Sequence, residues 1–153
     1  MSLGRTDLPP IVCTWKLISC QFRKDDGDVV YPFGEHPGGS LIYTDSGQFS
    51  IQVMRTDRPH FASGDQMTGT PDEIEKNYKG TVSYFGAYEF NKEQGFVVHN
   101  VKGSLFPNWE GQAQKRFFEI TENRLKLFTP PTIWGEGEEI VGELVWEKVD
   151  SSI

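Results

Sequence analysis

Positive charge is scarce in this chain: 15 Lys and Arg stand against 22 Asp and Glu, for a formal net charge of −7. So acidic a surface argues against nucleic acid or an anionic membrane as a partner, since both demand a basic face. No apolar run approaches the roughly 20 residues that span a bilayer. Residues 1–10 lack the apolar stretch of a secretory signal. The two cysteines, Cys13 and Cys20, are seven apart and on a single strand would face opposite sides, unable to bridge. Both are expected to be reduced, as in a cytoplasmic protein. Familiar catalytic signatures are missing too. His36, His60 and His99 lie on separate segments with no His-x-His or paired-Cys spacing, so no metal is expected. There is no Gly-x-Ser-x-Gly, and Gly34, Gly38 and Gly39 lack the strand–loop–helix context of a nucleotide loop, so no cofactor is expected.

What is plentiful is aromatic residues and turn formers. Aromatics make up 13% of the chain, with 16 Gly and 9 Pro, although only 37% is hydrophobic. Few but large apolar residues between frequent turns fit an all-β protein, and 153 residues fit one domain spanning 1–153. Strand-like runs fall at 14–23, 29–31, 40–44, 48–55, 81–91, 96–104, 113–121, 124–129 and 140–149, almost all joined by short links. Short links require antiparallel neighbours. About eight strands in up-and-down order close into an antiparallel β-barrel whose lumen holds one small ligand. One short helix is predicted near 71–78. Thr70 stands at the N-cap, Pro71 at the first helical position, Glu73 completes a capping box, and Gly80 ends it. With the loop 56–69 it forms one long connection, either a lid or a plug at one barrel end.

Strand parity points to an unusual interior. In Phe96-Val97-Val98-His99-Asn100-Val101-Lys102, Asn100 and Lys102 belong in water, which turns Val97, His99 and Val101 inward. In Gln114-Lys115-Arg116-Phe117-Phe118-Glu119-Ile120, Lys115 and Glu119 face out, while Arg116, Phe118 and Ile120 face in. An inward guanidinium argues for a polar-lined cavity over a sealed core. His99 and Arg116 are therefore the candidate catalytic pair, the imidazole for acid–base work and the guanidinium to hold an oxygen. The competing reading is a structural polar network. Tyr84 and Tyr88 share a face with Gly86, which would leave room in the lumen between them. Tyr43, Phe118 and Trp146 are further candidate wall residues for a substrate. Asn108 and Trp109, just past a strand end, are candidates for the barrel mouth.

Six segments carry a family resemblance. Thr14-Trp15-Lys16-Leu17 resembles the Gly-x-Trp start of lipocalins, with Cys13 where that motif has Gly. Tyr31-Pro32-Phe33-Gly34, Leu41-Ile42-Tyr43-Thr44, Arg58-Pro59-His60-Phe61-Ala62-Ser63-Gly64-Asp65, Tyr84-Phe85-Gly86-Ala87-Tyr88-Glu89 and Gly103-Ser104-Leu105-Phe106-Pro107-Asn108-Trp109 resemble the lipocalin-like domain of small bacterial and fungal proteins. The resemblance covers about 14–149. It implies an eight-stranded lipocalin- or calycin-like barrel around a cavity. It also implies either of two activities: binding of small hydrophobic molecules, or cyclase, isomerase or Diels–Alder chemistry on polyketide or terpenoid intermediates. The expected partner is a small, hydrophobic, oxygen-bearing metabolite, with the protein a monomer or homodimer. The favoured expectation is a cofactor-independent cyclase or isomerase, and the alternative is a non-catalytic carrier.

Overall fold

Alternating burial along nearly every strand wraps the chain around a single interior. The structure, a computed structural model, describes residues 8–135 and 137–149. Most of the N-terminal stretch considered above, and the outermost bounds of the domain, lie outside these residues. The strands are β1 (Thr14–Lys24), β2 (Val29–Val30), β3 (Gly38–Tyr43), β4 (Gln48–Met54), β5 (Thr81–Asn91), β6 (Phe96–Ser104), β7 (Ala113–Ile120), β8 (Arg124–Phe128), β9 (Thr132–Ile133) and β10 (Glu139–Lys148). All pairings are antiparallel, and β1 pairs with β10, closing the sheet. Eight strands, β1, β3–β8 and β10, form the ring. β2 and β9 are two-residue additions beside the end of β1 and the start of β10.

Helix α1 (Pro71–Lys79) precedes β5, and its capping box forms as predicted. Thr70 Oγ1 accepts from the Glu73 amide at 3.1 Å, and Glu73 Oε1 accepts from the Thr70 amide at 2.8 Å. The other Glu73 oxygen accepts from the Ala62 amide at 3.1 Å, tying the helix to the loop before it. Gly80 is the C-cap, and glycine suits the position because a Cβ there would sit 2.9 Å from the Lys76 carbonyl oxygen. Arg58 staples the connection to the barrel, donating to Arg55 O, Asn77 Oδ1 and Thr81 Oγ1 at 2.8–3.0 Å. No residue of α1 is buried, and no residue of 56–80 reaches the barrel interior.

Two irregularities change what strict alternation implied. A register shift between Leu17 and Ser19 in β1 puts Trp15, Leu17, Cys20 and Phe22 all on the buried side. The opposite-face reading of the cysteines therefore does not apply, though both thiols are free. A second shift occurs where Phe85 and Gly86 of β5 meet Gly103 and Val101 of β6. At Gly86 a Cβ would lie 1.9 Å from the Asn100 carbonyl oxygen. The missing side chain thus admits the neighbouring backbone and does not open the lumen. Near the start of β1 Trp15 is buried in the core, and its Nε1–H donates to the carbonyl of fully buried Ile11 at 2.9 Å. No helix among the described residues is long and apolar enough to cross a membrane.

Candidate functional site

Inside the ring lies a cavity of about 80 Å³. Its apolar wall includes Cys20 and Phe22 from β1, Ile51 and Val53 from β4, Val82 from β5, and Ile140 and Leu144 from β10. Tyr84, His99 and Arg116 make one polar corner. Phe33, Trp109 and Trp134, with Leu127, Thr129 and Thr132 from β8, its end and β9, complete the lining. Trp109 follows β6 in a 3₁₀ turn (Pro107–Trp109) and meets Tyr84 edge-on, with 5.4 Å between ring centroids. Trp134 meets Phe33 edge-on at 6.0 Å. Val82, Trp109 and Trp134 also line an outer groove of about 630 Å³ with Leu105, Phe106, Ile133 and Tyr78. The two indoles therefore stand between the cavity and the surface.

The polar corner is a hydrogen-bonded row. Tyr43 Oη and His99 Nε2 are 2.6 Å apart, and His99 Nδ1 and Tyr84 Oη are 3.3 Å apart. The imidazole stacks on Phe49 at 4.2 Å and is fully buried. Burial, helped by the Arg116 charge, lowers its pKa to about 3, so the ring is neutral at pH 7. Burial pushes both phenols above their ordinary range, and at Tyr84 the adjacent guanidinium partly offsets that push. Arg116 is half-buried; its Nη2 donates to Gln114 Oε1 at 2.7 Å and its Nη1 to the Lys115 carbonyl at 3.0 Å. Among the described residues, no carboxylate lies within ion-pair distance of it. The Cys20 thiol, raised to about 12 by burial, is a wall group and not a nucleophile.

The expected site residues separate into three groups. His99, Arg116, Tyr84 and Trp109 line the cavity. Tyr43 does not line it but stands behind His99 as the far end of the row. The other four are corrected as wall residues. Tyr88 is half-buried with its hydroxyl donating to the Thr44 carbonyl at 2.6 Å. Phe118 stacks on Phe90 at 5.1 Å. Trp146 is fully buried away from the cavity, with its indole N–H lacking a partner among the described residues. Asn108 is exposed in the 3₁₀ turn. Three contributors escaped the sequence reading. Gln114 shares the inward parity of Arg116, a signal that was available. Phe33 and Trp134 sit in Pro/Gly-rich connections, where no periodicity exists to reveal them.

A closed antiparallel barrel with an apolar cavity and one polar corner is the architecture of a small-molecule-binding barrel. The chain belongs to the lipocalin-like domain family, which matches residues 12–149. It is also similar to the 4'-hydroxy-3'-methoxypropiophenone carrier protein ppsC of Aspergillus oryzae (strain ATCC 42149 / RIB 40). The two are 28% identical over 106 residues, 65% of this chain and 96% of the relative.

Proposed function

We propose that this protein binds and carries a small, hydrophobic, oxygen-bearing aromatic metabolite in its barrel. The observation that carries the reading is Arg116: a half-buried guanidinium on an apolar cavity wall, beside the Tyr84 hydroxyl, with no carboxylate partner among the described residues. Gln114 and the Lys115 carbonyl take two of its N–H groups, and a ligand oxygen is the acceptor that would meet one of those left on the cavity side. The Aspergillus relative is named for carrying an aromatic ketone, whose ring and oxygen suit an aromatic-walled cavity with donors at one corner. Size adds a constraint. The cavity of about 80 Å³ is small beside the roughly 300–1,000 Å³ of ligand pockets. The bound molecule therefore extends past Trp109 and Trp134 toward the groove. A cytoplasmic setting, where both thiols stay reduced, goes with this reading.

Catalysis as a cyclase or isomerase is the second reading, favoured by the same two donors, which would also stabilise negative charge growing on a substrate oxygen. His99 weighs against proton transfer, since both its ring nitrogens are engaged by phenols and its basicity is suppressed. The test is to titrate the protein with 4'-hydroxy-3'-methoxypropiophenone, following tryptophan fluorescence, and then to recover the compound and weigh it by mass spectrometry. Saturable quenching with the compound recovered unchanged is expected. No saturable change would overturn binding. A product of altered structure, formed only with protein present, would move the assignment to catalysis.

A further inference from the structure

Within the binding reading, on which this inference rests, we propose that the Tyr43–His99–Tyr84 row fixes the cavity's polar corner as a donor-only clamp, selecting a carbonyl oxygen and rejecting the corresponding alcohol. The reasoning is a count of protons. A neutral imidazole has one N–H and one acceptor nitrogen, and each phenol has one O–H. Suppose Nε2 carried the proton. It would donate to Tyr43 Oη, and the Tyr43 hydroxyl proton would then need another acceptor. Tyr43 is fully buried, and among the described residues His99 is its one side-chain hydrogen-bond partner. Stranding a buried hydroxyl proton disfavours that arrangement by about tenfold or more.

In the opposite arrangement Tyr43 O–H donates to Nε2 across the short 2.6 Å contact, and Nδ1–H donates to Tyr84 Oη across 3.3 Å. The proton left without a protein acceptor then belongs to Tyr84, the phenol that faces the cavity. Arg116 stands on the same wall close to that hydroxyl and has no acceptor role to offer. Two of its five N–H groups go to Gln114 and Lys115. The corner therefore presents an O–H and the remaining guanidinium N–H groups, because the Tyr84 oxygen turns one lone pair to Nδ1–H and the other to the Arg116 guanidinium beside it. A ketone, aldehyde or ester carbonyl satisfies it. An alcohol at the same place offers an oxygen but finds no acceptor at this corner for its own proton. In this account Tyr84 and Arg116 are the contacting residues, and His99 and Tyr43 position them.

The experiment has two independent arms. Ring ¹⁵N NMR of the whole protein reads the His99 tautomer directly, with its resonances among those of three histidines assigned by their loss in His99→Gln. A protonated Nδ1 beside a bare Nε2 is expected, and a protonated Nε2 would overturn the clamp. The second arm compares propiophenone with 1-phenylpropan-1-ol by calorimetry. The ketone should bind about tenfold or more tightly. Tyr84→Phe should reduce that preference to what Arg116 alone supplies, and Tyr43→Phe should weaken it while shifting the His99 nitrogens toward a mixture of tautomers. Equal affinities in the wild type, or an unchanged preference in Tyr84→Phe, would overturn the proposal while leaving binding intact. Failure of both compounds to bind would overturn the binding reading, and the clamp with it, whatever tautomer is found.

Discussion

Trp134 meets Phe22 edge-on, with ring centroids 5.1 Å apart and planes at 79°, and so fastens the connection between β8 and β10 over the cavity. Trp134→Ala removes this cover. Because the residue is half-buried, the cost in folding stability should be modest, about 1–2 kcal/mol against the 3–5 of a fully buried Trp. The larger effect should fall on ligand residence. Stopped-flow displacement is expected to show dissociation about tenfold faster, with association changed much less. A dissociation rate equal to wild type would mean that Trp134 does not gate the cavity.

Gly86→Ala should be among the most damaging single changes in the molecule. Its Cβ would meet the Asn100 carbonyl oxygen at 1.9 Å, and that contact is backbone, which cannot rotate away. Relief requires β5 and β6 to separate at their shared irregularity. A loss of about 3 kcal/mol or more is expected by urea denaturation, or failure to fold. Gly47→Ala is the useful comparison: it has open space around the added methyl but a φ of 86°, so only backbone strain of about 1–2 kcal/mol applies. Equal effects at the two positions would contradict the close-approach account.

These two residues also mark the limits of what the sequence makes legible. Parity in β6 and β7 is readable because Asn100, Lys102, Lys115 and Glu119 mark the outer face, and burial alternates without interruption across His99 and Arg116. The capping box of α1 is readable because its chemistry is local. Parity reports which face a residue takes but not its height along the barrel. Tyr43 and Trp146 face inward, as expected, yet lie outside the cavity lining. The shift after Leu17 turns Cys20 inward, and no residue type in Leu17-Ile18-Ser19 announces it. Trp134 lies in Pro130-Pro131-Thr132-Ile133-Trp134-Gly135, where there is no repeating pattern to read, and its place is set by Phe22 and Phe33, distant in sequence.

His99 should dominate the acid response of stability. Its folded-state pKa is about 3, against about 6.5 in the unfolded chain. Between those values the unfolded chain binds a proton that the folded barrel refuses. Stability is therefore lost as pH falls from about 6.5 toward 3, at up to about 1.4 kcal/mol per unit, and this term is flat above 6.5. Urea midpoints measured from pH 7 to pH 4.5 should fall along that slope. His99→Gln should be less stable at pH 7, because Tyr43 and Tyr84 lose their ring partner, but should show a shallower slope. Parallel slopes for the two proteins would rule out His99 as the source.

Arg116→Met separates what serves binding from what serves folding. The substitution keeps length and apolar contact but removes the charge and every donor. In the folded protein the guanidinium is half-buried among apolar wall residues, held by Gln114 and the Lys115 carbonyl and by no carboxylate among the described residues. Removing it should therefore leave folding stability unchanged or raise it by about 0.5–1 kcal/mol, as for other site residues kept at a cost to the fold. Binding should move the other way. Loss of a charged donor to a ligand oxygen costs about 1.5–3 kcal/mol, or roughly 10- to 150-fold in Kd. Arg116→Lys should recover part of the affinity, because the charge returns without the planar fork. Paired measurements by thermal denaturation without ligand and calorimetry with it would check both signs. A variant that unfolds more easily and binds equally well would make Arg116 a structural residue, and would remove the observation on which the binding assignment rests.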